Sequence, residues 1–306
     1  MDNVLDKVIT QDSNRRMSRM KLREWREGWL FASPFIIGFI VLWLGPMLYS
    51  MYIVTQDWNL LRAPKFVGMA NILKMFADPL LVKSLNATAI YTFLSVPLQI
   101  IFALLLAMAL NNQIKGKVAY RTVFFLPTVV PTVAVALGWL TIFYPSGGLL
   151  NYYLHLDIRW LLNPNYAIYA LIIMSLWTIG TQMIICLAGL QNIPKELEDA
   201  AQVDGTNNWQ KFFYITIPLI SPVLLYLLII GFINSFQVFA IALIMTNGGP
   251  QNSTLFMVLY IYTLGFKRFN MGYAATLAWL LFIFIMAFTV IQFKLANKWV
   301  YYESQT

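Results

Sequence analysis

Glu196-Leu197-Glu198-Asp199-Ala200-Ala201-Gln202-Val203-Asp204-Gly205, followed after nine intervening residues by Ile215-Thr216-Ile217-Pro218, is a polar run set between two long apolar stretches. Pro194 suits the first turn of a helix, where its missing N–H costs nothing. Glu196, Glu198 and Asp199 complement the positive end of the helix dipole, so a short helix is expected to start here. Leu197, Ala200 and Ala201 recur at i, i+3 and i+4 and make one narrow apolar face, small enough to lie close against a partner. Gly205 permits the left-handed turn that ends the helix. Asn207 or Asn208 can cap a second helix through Trp209, Phe212 and Phe213 toward Pro218, which is expected to break the pattern. The expected product is a protruding helix-turn-helix.

The flanking sequence is that of a polytopic membrane protein: hydrophobic residues make up 59% of the chain and charged ones 11%, and the mean hydropathy is +0.67. Crossing about 30 Å of hydrocarbon takes roughly 20 apolar residues. Six charge-free windows qualify, at about 29–55, 85–110, 122–143, 166–190, 222–245 and 273–293, and all of the 21 Lys and Arg and 13 Asp and Glu fall outside them. The expected fold is therefore an all-α membrane protein of six transmembrane helices, with the polar loop at 191–221 between helices 4 and 5. A seventh apolar run, 254–266, is short for a span and suits an interfacial or re-entrant segment.

Cytoplasmic loops carry the excess of Lys and Arg. With the N-terminus inside, 14 of the 21 basic residues lie on the inner side, including those of the basic segment 1–28. Both termini, the 301–306 tail and the polar loop are then cytoplasmic. The apolar run Trp29–Thr55 has 27 residues, longer than the apolar region of a signal peptide, so an uncleaved first helix is expected. The net charge of +8 is concentrated beside the spans, as topology requires, so nucleic acid is not an expected partner. The single cysteine, Cys186, lies in the fourth window and allows no intramolecular disulfide.

Residues for chemistry are scarce. Gly116-Lys117 lacks the upstream glycine and downstream hydroxyl of a phosphate-binding loop, so no ATP site is expected in this chain. The lone histidine, His155, has only Asp157 nearby and makes neither a metal site nor a catalytic pair. No cofactor, metal or catalytic residue is expected, and an integral membrane enzyme fits poorly. Ion-coupled carriers usually carry ionisable residues inside their spans, and these windows contain none. Sodium coupling through backbone carbonyls at broken helices stays open as an alternative, but leaves the polar loop unexplained.

The loop resembles the cytoplasmic coupling loop of binding-protein-dependent ABC importer permeases, whose motif runs E-A-A, three residues, Gly, nine residues, then I-x-L-P. Asp199-Ala200-Ala201, Gly205, Ile215 and Ile217-Pro218 match that spacing, with Asp199 for Glu and Ile217 for Leu. Phe66-Val67-Gly68 with Asn71, Arg121-Thr122-Val123-Phe124-Phe125-Leu126-Pro127, and Asn247-Gly248-Gly249-Pro250 resemble segments of the carbohydrate branch, that of maltose and oligosaccharide permeases. Together these segments cover most of residues 29–300. The resemblance implies a permease subunit of an ATP-driven importer in a bacterial cell membrane, moving a sugar or oligosaccharide. A non-sugar solute is the alternative within the same family. Glu198, Asp199, Ala200, Ala201, Asp204, Gly205, Ile215 and Pro218 would form the element that docks in a cleft of the ATPase subunit. The implied partners are a second permease subunit, two ATPase subunits that use ATP and Mg, an extracytoplasmic sugar-binding protein, and membrane lipid.

Candidates for the substrate pathway are polar groups deep in the spans, since an unpaired amide in lipid costs several kcal/mol. Asn234 and Gln237, at i and i+3 of the fifth window, are expected to share a face, and Gln182 with Thr181 is the next deepest set. Hydrogen bonding between helices is the other reading of these amides. Trp139 and Trp177 are candidate stacking platforms for the C–H faces of a sugar, with packing as the alternative.

Overall fold

The computed structural model describes residues 2–112, 115–145 and 147–301, with side chains from Met20 onward except that of Glu198. Helix α1 (Asp2–Phe39) passes through a π-helical turn (Ile40–Leu44) into α2 (Gly45–Val54), with Pro46 in the first turn of α2. Strands β1 (Gln56–Asp57) and β2 (Lys65–Phe66) pair antiparallel, Gln56 opposite Phe66, and are the only departure from helix-and-loop structure among the described residues. Next come α3 (Ala70–Phe76), α4 (Pro79–Asn111), α5 (Lys117–Val129), α6 (Thr132–Ile142), α7 (Leu149–Leu154), α8 (Pro164–Leu176) and α9 (Gly180–Gln191). The polar loop holds α10 (Lys195–Val203) and α11 (Asn208–Lys211), and a second π turn (Phe212–Thr216) leads into α12 (Ile217–Phe236). Helices α13 (Ala240–Met245), α14 (Met257–Tyr262) with a π turn at Thr263–Lys267, and α15 (Met271–Ala296) complete the chain.

Four uninterrupted helical runs are long and apolar enough to cross a membrane: Met20–Val54, Pro79–Asn111, Asn208–Phe236 and Met271–Ala296. The count reaches six when the bent pairs α5–α6 and α8–α9 each make one span. The short apolar helix at Met257–Lys267 matches the 254–266 run.

Three of the expected continuous spans are broken. The third bends by 99° between α5 and α6, because Pro131 offers no N–H and forces Val130 into extended backbone (ψ 131°). The fourth bends by 51° at Trp177–Ile179, with no proline present. There Gly180 lies against α5 so closely that a Cβ would meet the Phe124 carbonyl oxygen at 2.5 Å. The fifth, expected over 222–245, ends as a helix at Phe236 and resumes at Ala240. The side-chain amide of Gln237 donates to the Ile233 carbonyl (3.2 Å) at that end, and Phe239 stands outside the helical region (φ −137°, ψ −63°) before α13 begins. Pro97, by contrast, is carried inside an unbroken α4.

Helix α4 is the centre of the bundle and packs on α8, α9 and α12. Small residues on its buried face, Ser84, Ala87, Ser95, Ala103 and Ala107, allow close approach. Gly231 of α12 sits where a Cβ would lie 2.8 Å from Val96. Beside it, the Ser235 hydroxyl donates to Thr92 Oγ1 (3.1 Å) and lies 3.3 Å from Ser95 Oγ. With all three buried, α12 is fixed against α4 in rotation as well as in distance.

Candidate functional site

The three helix breaks converge on one cavity of about 410 Å³. Its walls come from both sides of each break: Pro127, Thr128 and Thr132 around the first, Thr178, Thr181 and Gln182 around the second, Asn234 and Ile241 around the third. Broken helices free backbone polar groups and open space at membrane depth, the arrangement that builds substrate sites in transporters. The lining carries hydroxyls from Thr128, Thr132, Thr178, Thr181 and Tyr226 and amides from Gln182 and Asn234, with no charged side chain among the described residues. Gln182 Oε1 is buried without a hydrogen-bond partner, an acceptor that costs free energy until a donor arrives. Asn234 faces the cavity because its neighbour Ser235, about 100° further round the helix, is tied to Thr92 and Ser95.

The structure thus brings Asn234, Gln182 and Thr181 together and leaves the other pathway candidates out. Gln237, the C-cap of α12, is exposed and outside the lining, its side-chain amide turned back to the Ile233 carbonyl. Trp139 and Trp177 pack edge to face at 6.4 Å. Trp139 also packs on the buried Phe143 (5.1 Å), which in turn meets Trp160 (5.8 Å), so the two indoles belong to an aromatic cluster beside the cavity. Thr128, Thr132 and Thr178 were missed in the sequence. Their signal is hydroxyls within apolar windows, close to Pro127, Pro131 and the Thr178–Gln182 run.

The polar loop folds through local chemistry. Helix α10 starts after Pro194 and ends at Gly205, whose φ is +71°. The Gly205 amide donates to the Gln202 carbonyl (3.1 Å) and the Thr206 amide to the Ala201 carbonyl (3.0 Å). These are the two bonds of a Schellman cap, for which only a left-handed residue serves. Asn207 then opens α11 with a reciprocal pair: Asn207 Oδ1 accepts from the Gln210 amide and the Asn207 amide donates to Gln210 Oε1, both 2.8 Å.

Two expectations about this loop change. Ala201 is only 4% exposed and turns into its own chain, so it does not join Leu197 and Ala200 on an outer face. The outward apolar surface consists instead of Leu197, Val203 (88% exposed), Trp209 (71%), Phe213 and Tyr214 (80%), with the exposed Asp199 and Asp204 among them. Glu198 lies outside the described side chains. Pro218 also does not break the helix. The Ile217 amide bonds back to the Phe212 carbonyl across the π turn, and the proline occupies the first turn beyond it, where a missing N–H is tolerated. Asn208 to Phe236 is one helical run of 29 residues, which spans about 40 Å from Asn208 to Asn234. Ile215, within the π turn, is half-buried.

At the other end of the bundle, residues 54–78 are clasped to α14 and α15. Asn71 Nδ2 donates to the carbonyls of Val54 and Gln56, each 2.9 Å. Gly272 leaves no room for a side chain against the Gln56 carbonyl. Asp78, the N-cap of α4, accepts from the hydroxyls of Tyr260 and Tyr273, both at 2.6 Å. Burial alone would raise the pKa of this carboxyl; the two phenols and the amides of Leu80 and Leu81 outweigh it and hold the group below the ordinary carboxylate value.

A family model described as "Binding-protein-dependent transport system inner membrane component" matches residues 88–300. Over 298 residues, 95% of this chain and 96% of the relative, the sequence is 39% identical to the probable ABC transporter permease protein YesP of Bacillus subtilis (strain 168). It is 34% identical over 293 residues to the lactose transport system permease protein LacF of Rhizobium radiobacter, covering 92% of this chain and 98% of that one. A chain from the crystal structure of a bacterial ABC transporter involved in the import of the acidic polysaccharide alginate superposes with a TM-score of 0.80 at 24% identity, covering 92% of this chain and 99% of that one. At that identity the likeness speaks to the fold alone.

Proposed function

Since the chain belongs to the family of binding-protein-dependent transport system inner membrane components, we propose that it is one of two permease subunits of an ATP-driven importer for a neutral sugar or oligosaccharide. Two ATPase subunits that hold ATP and Mg drive it, and an extracytoplasmic binding protein delivers the substrate. The observation that carries this reading is the unbroken helix from Asn208 to Phe236, which joins the exposed apolar loop at one end to Asn234 in the cavity at the other. A displacement of the loop by a docked ATPase reaches the cavity wall through that helix with no flexible joint between. The uncharged lining favours a solute that presents hydroxyls, since each amide and hydroxyl there both donates and accepts. The loop and both termini are cytoplasmic in this reading, on the side favoured by the lysine and arginine distribution.

Reconstitution with native partners tests the proposal. Uptake of a neutral sugar should require both ATP and the binding protein, and should exceed uptake of a phosphorylated sugar of similar size. The chain purified alone should neither hydrolyse ATP nor accumulate sugar. Uphill uptake by the chain alone on a sodium or proton gradient would overturn the importer reading.

A further inference from the structure

Helix α3 is built inside out. Asn71 and Met75 face the bundle: Asn71 is buried and gives its amide to the Val54 and Gln56 carbonyls, and Met75 packs on the hydrophobic core. The opposite face is apolar. Met69, Leu73 and Phe76 follow one another at i, i+4 and i+7 and are 69%, 69% and 80% exposed, with the exposed Ala70 and Ala77 beside them. A surface helix ordinarily turns its apolar stripe to the core and its polar face outward. The ridge also extends beyond α3. The exposed Phe66 of β2 places its ring 3.9 Å from where a Cβ of Gly68 would stand, and Leu61 is exposed in the connection between β1 and β2.

Depth and charge say what covers this ridge. The bond from Asn71 to the carbonyl of Val54, the last residue of α2, lays α3 across the end of the first span, and α4 starts beside it at Pro79. In the last two turns of α2 the exposed Tyr49 and Tyr52 stack at 6.3 Å, and tyrosine collects where a membrane meets water. The charged residues between Asp57 and Asp78 are Arg62, Lys65 and Lys74, all exposed, with no acid among them. Asp78 itself is occupied by Tyr260 and Tyr273.

We propose that α3 and β2 form an interfacial anchor, seated among the phospholipid headgroups and upper acyl chains at the end of the bundle away from the polar loop. An apolar face flanked by lysine and arginine is what that layer accepts: glycerol and acyl carbons cover the ridge, and lipid phosphates meet Arg62 and Lys65. The clasp gives the anchor its consequence. Asn71 ties α3 to the end of α2, and Asp78 ties the start of α4 to Tyr260 and to Tyr273 of α15. Lipid that holds α3 at the surface therefore holds the ends of three spans there. The inference requires only that the spans cross a membrane and does not rest on what the protein transports.

The test uses the transporter assembled with its partner subunits, in nanodiscs of phosphatidylcholine and phosphatidylglycerol. A nitroxide label at Leu73→Cys reports depth through its collisions with dissolved oxygen and with a water-soluble nickel chelate. The native Cys186 is buried, and the unsubstituted protein serves as the labelling blank. Leu42→Cys, exposed in the middle of the first span, and Asp157→Cys, exposed between α7 and α8, mark the acyl and aqueous limits. The Leu73 label should lie between them, about 5–10 Å inside the headgroup boundary. Met69→Ser with Phe76→Ser alters outward side chains alone and leaves the clasp intact, and should shift the label toward the Asp157 value. Nickel access at Leu73 equal to that at Asp157 would overturn the proposal, because the ridge would then stand in water. Exclusion of both oxygen and nickel would overturn it too, since a protein partner would then cover the ridge. A label depth that ignores the two serines would likewise remove the ridge as the anchor.

Discussion

Replacing Gly205 isolates the backbone of the loop from its contacts. No atom lies within 4 Å of the position a Cβ would take there, so a new side chain meets no neighbour and the whole cost is conformational. At φ +71° that cost is about 1–2 kcal/mol for an ordinary L-residue, with a β-branched side chain at the upper end. The chain can relax only by giving up the Schellman bonds to Gln202 and Ala201 and the 2.7 Å bond from Thr206 Oγ1 to the Ala201 carbonyl. A penalty of that size moves the balance between capped and frayed loop by roughly 5- to 30-fold. In transporter assembled from wild-type or Gly205→Val permease, co-purification of the ATPase and its stimulation by substrate-loaded binding protein should both fall, while membrane insertion is unchanged. Gly205→Asn is the internal control, because asparagine tolerates the left-handed region, and should keep most of the activity. Wild-type assembly and stimulation in Gly205→Val would refute the loop's role. Equal damage from Asn and Val would refute the backbone explanation, since the open space would then be occupied by a partner.

Asn234→Ala should weaken apparent sugar affinity by about 1–3 kcal/mol, roughly 5- to 150-fold, with an unchanged melting temperature, because the side chain is exposed to the cavity; loss of stability with unchanged affinity would make it a packing residue. Asp78, held below its ordinary pKa by Tyr260 and Tyr273, contributes stability that is present at neutral pH and lost as pH falls below about 4. Melting temperature should therefore drop more steeply in that acid range for the wild type than for Asp78→Asn, and parallel curves would remove Asp78 from the clasp. Ile217→Gly with Leu219→Gly, on either side of Pro218, adds a joint at about 1 kcal/mol of helix propensity per site. Sugar-stimulated ATPase activity and uptake per ATP should fall while the ATPase still co-purifies; full coupling in this variant would mean that the long helix is not the transmitting element.

What could be read from the residues was what local chemistry decides. Pro194, Gly205 and Asn207 act through their own backbone or side-chain geometry, so the two loop helices and their turn follow from neighbours a few residues away. The apolar windows were legible because a bilayer tolerates little else. The break at Trp177–Ile179 was not, because its cause is distant in sequence, and the break at Gln237–Phe239 carries no proline or glycine to mark it. Gly180 bends its span to lie on the Phe124 carbonyl, and α12 is tied in place by Thr92 and Ser95, about 140 residues away. Pro218 misled for a related reason: a proline usually ends a pattern, but the π turn at Phe212–Thr216 shifts the hydrogen-bond frame and absorbs it. Gln237 was paired with Asn234 by counting along a helix that stops at Phe236.

The breaks also decide which parts of the wall are carried together. Helix α12 is gripped by α4 through Gly231 and Ser235, and by α9 through Gly189, where a Cβ would lie 3.0 Å from Val223. The Tyr301 amide, beyond α15, donates to Ser221 Oγ of α12 (2.9 Å). Helix α5 belongs to the same block through Gly180. Helices α6 and α13 pack on each other, follow the non-helical links at Val130–Pro131 and Gln237–Phe239, and share the hydrophobic core with that block. Thr132 and Ile241 of this pair face Asn234 and Gln182 of the block across the cavity. In the proposed importer, a force entering at the loop would move α12, α4 and α9 together. Changes of backbone angle at the two links would change the shape of the cavity. Such motion costs few hydrogen bonds, because Gln237 already caps the freed Ile233 carbonyl and Pro131 has no N–H to leave unpaired. That division explains why a glycine joint around Pro218 and the alanine at Asn234 should have different effects, one on coupling with affinity kept and the other on affinity with coupling kept.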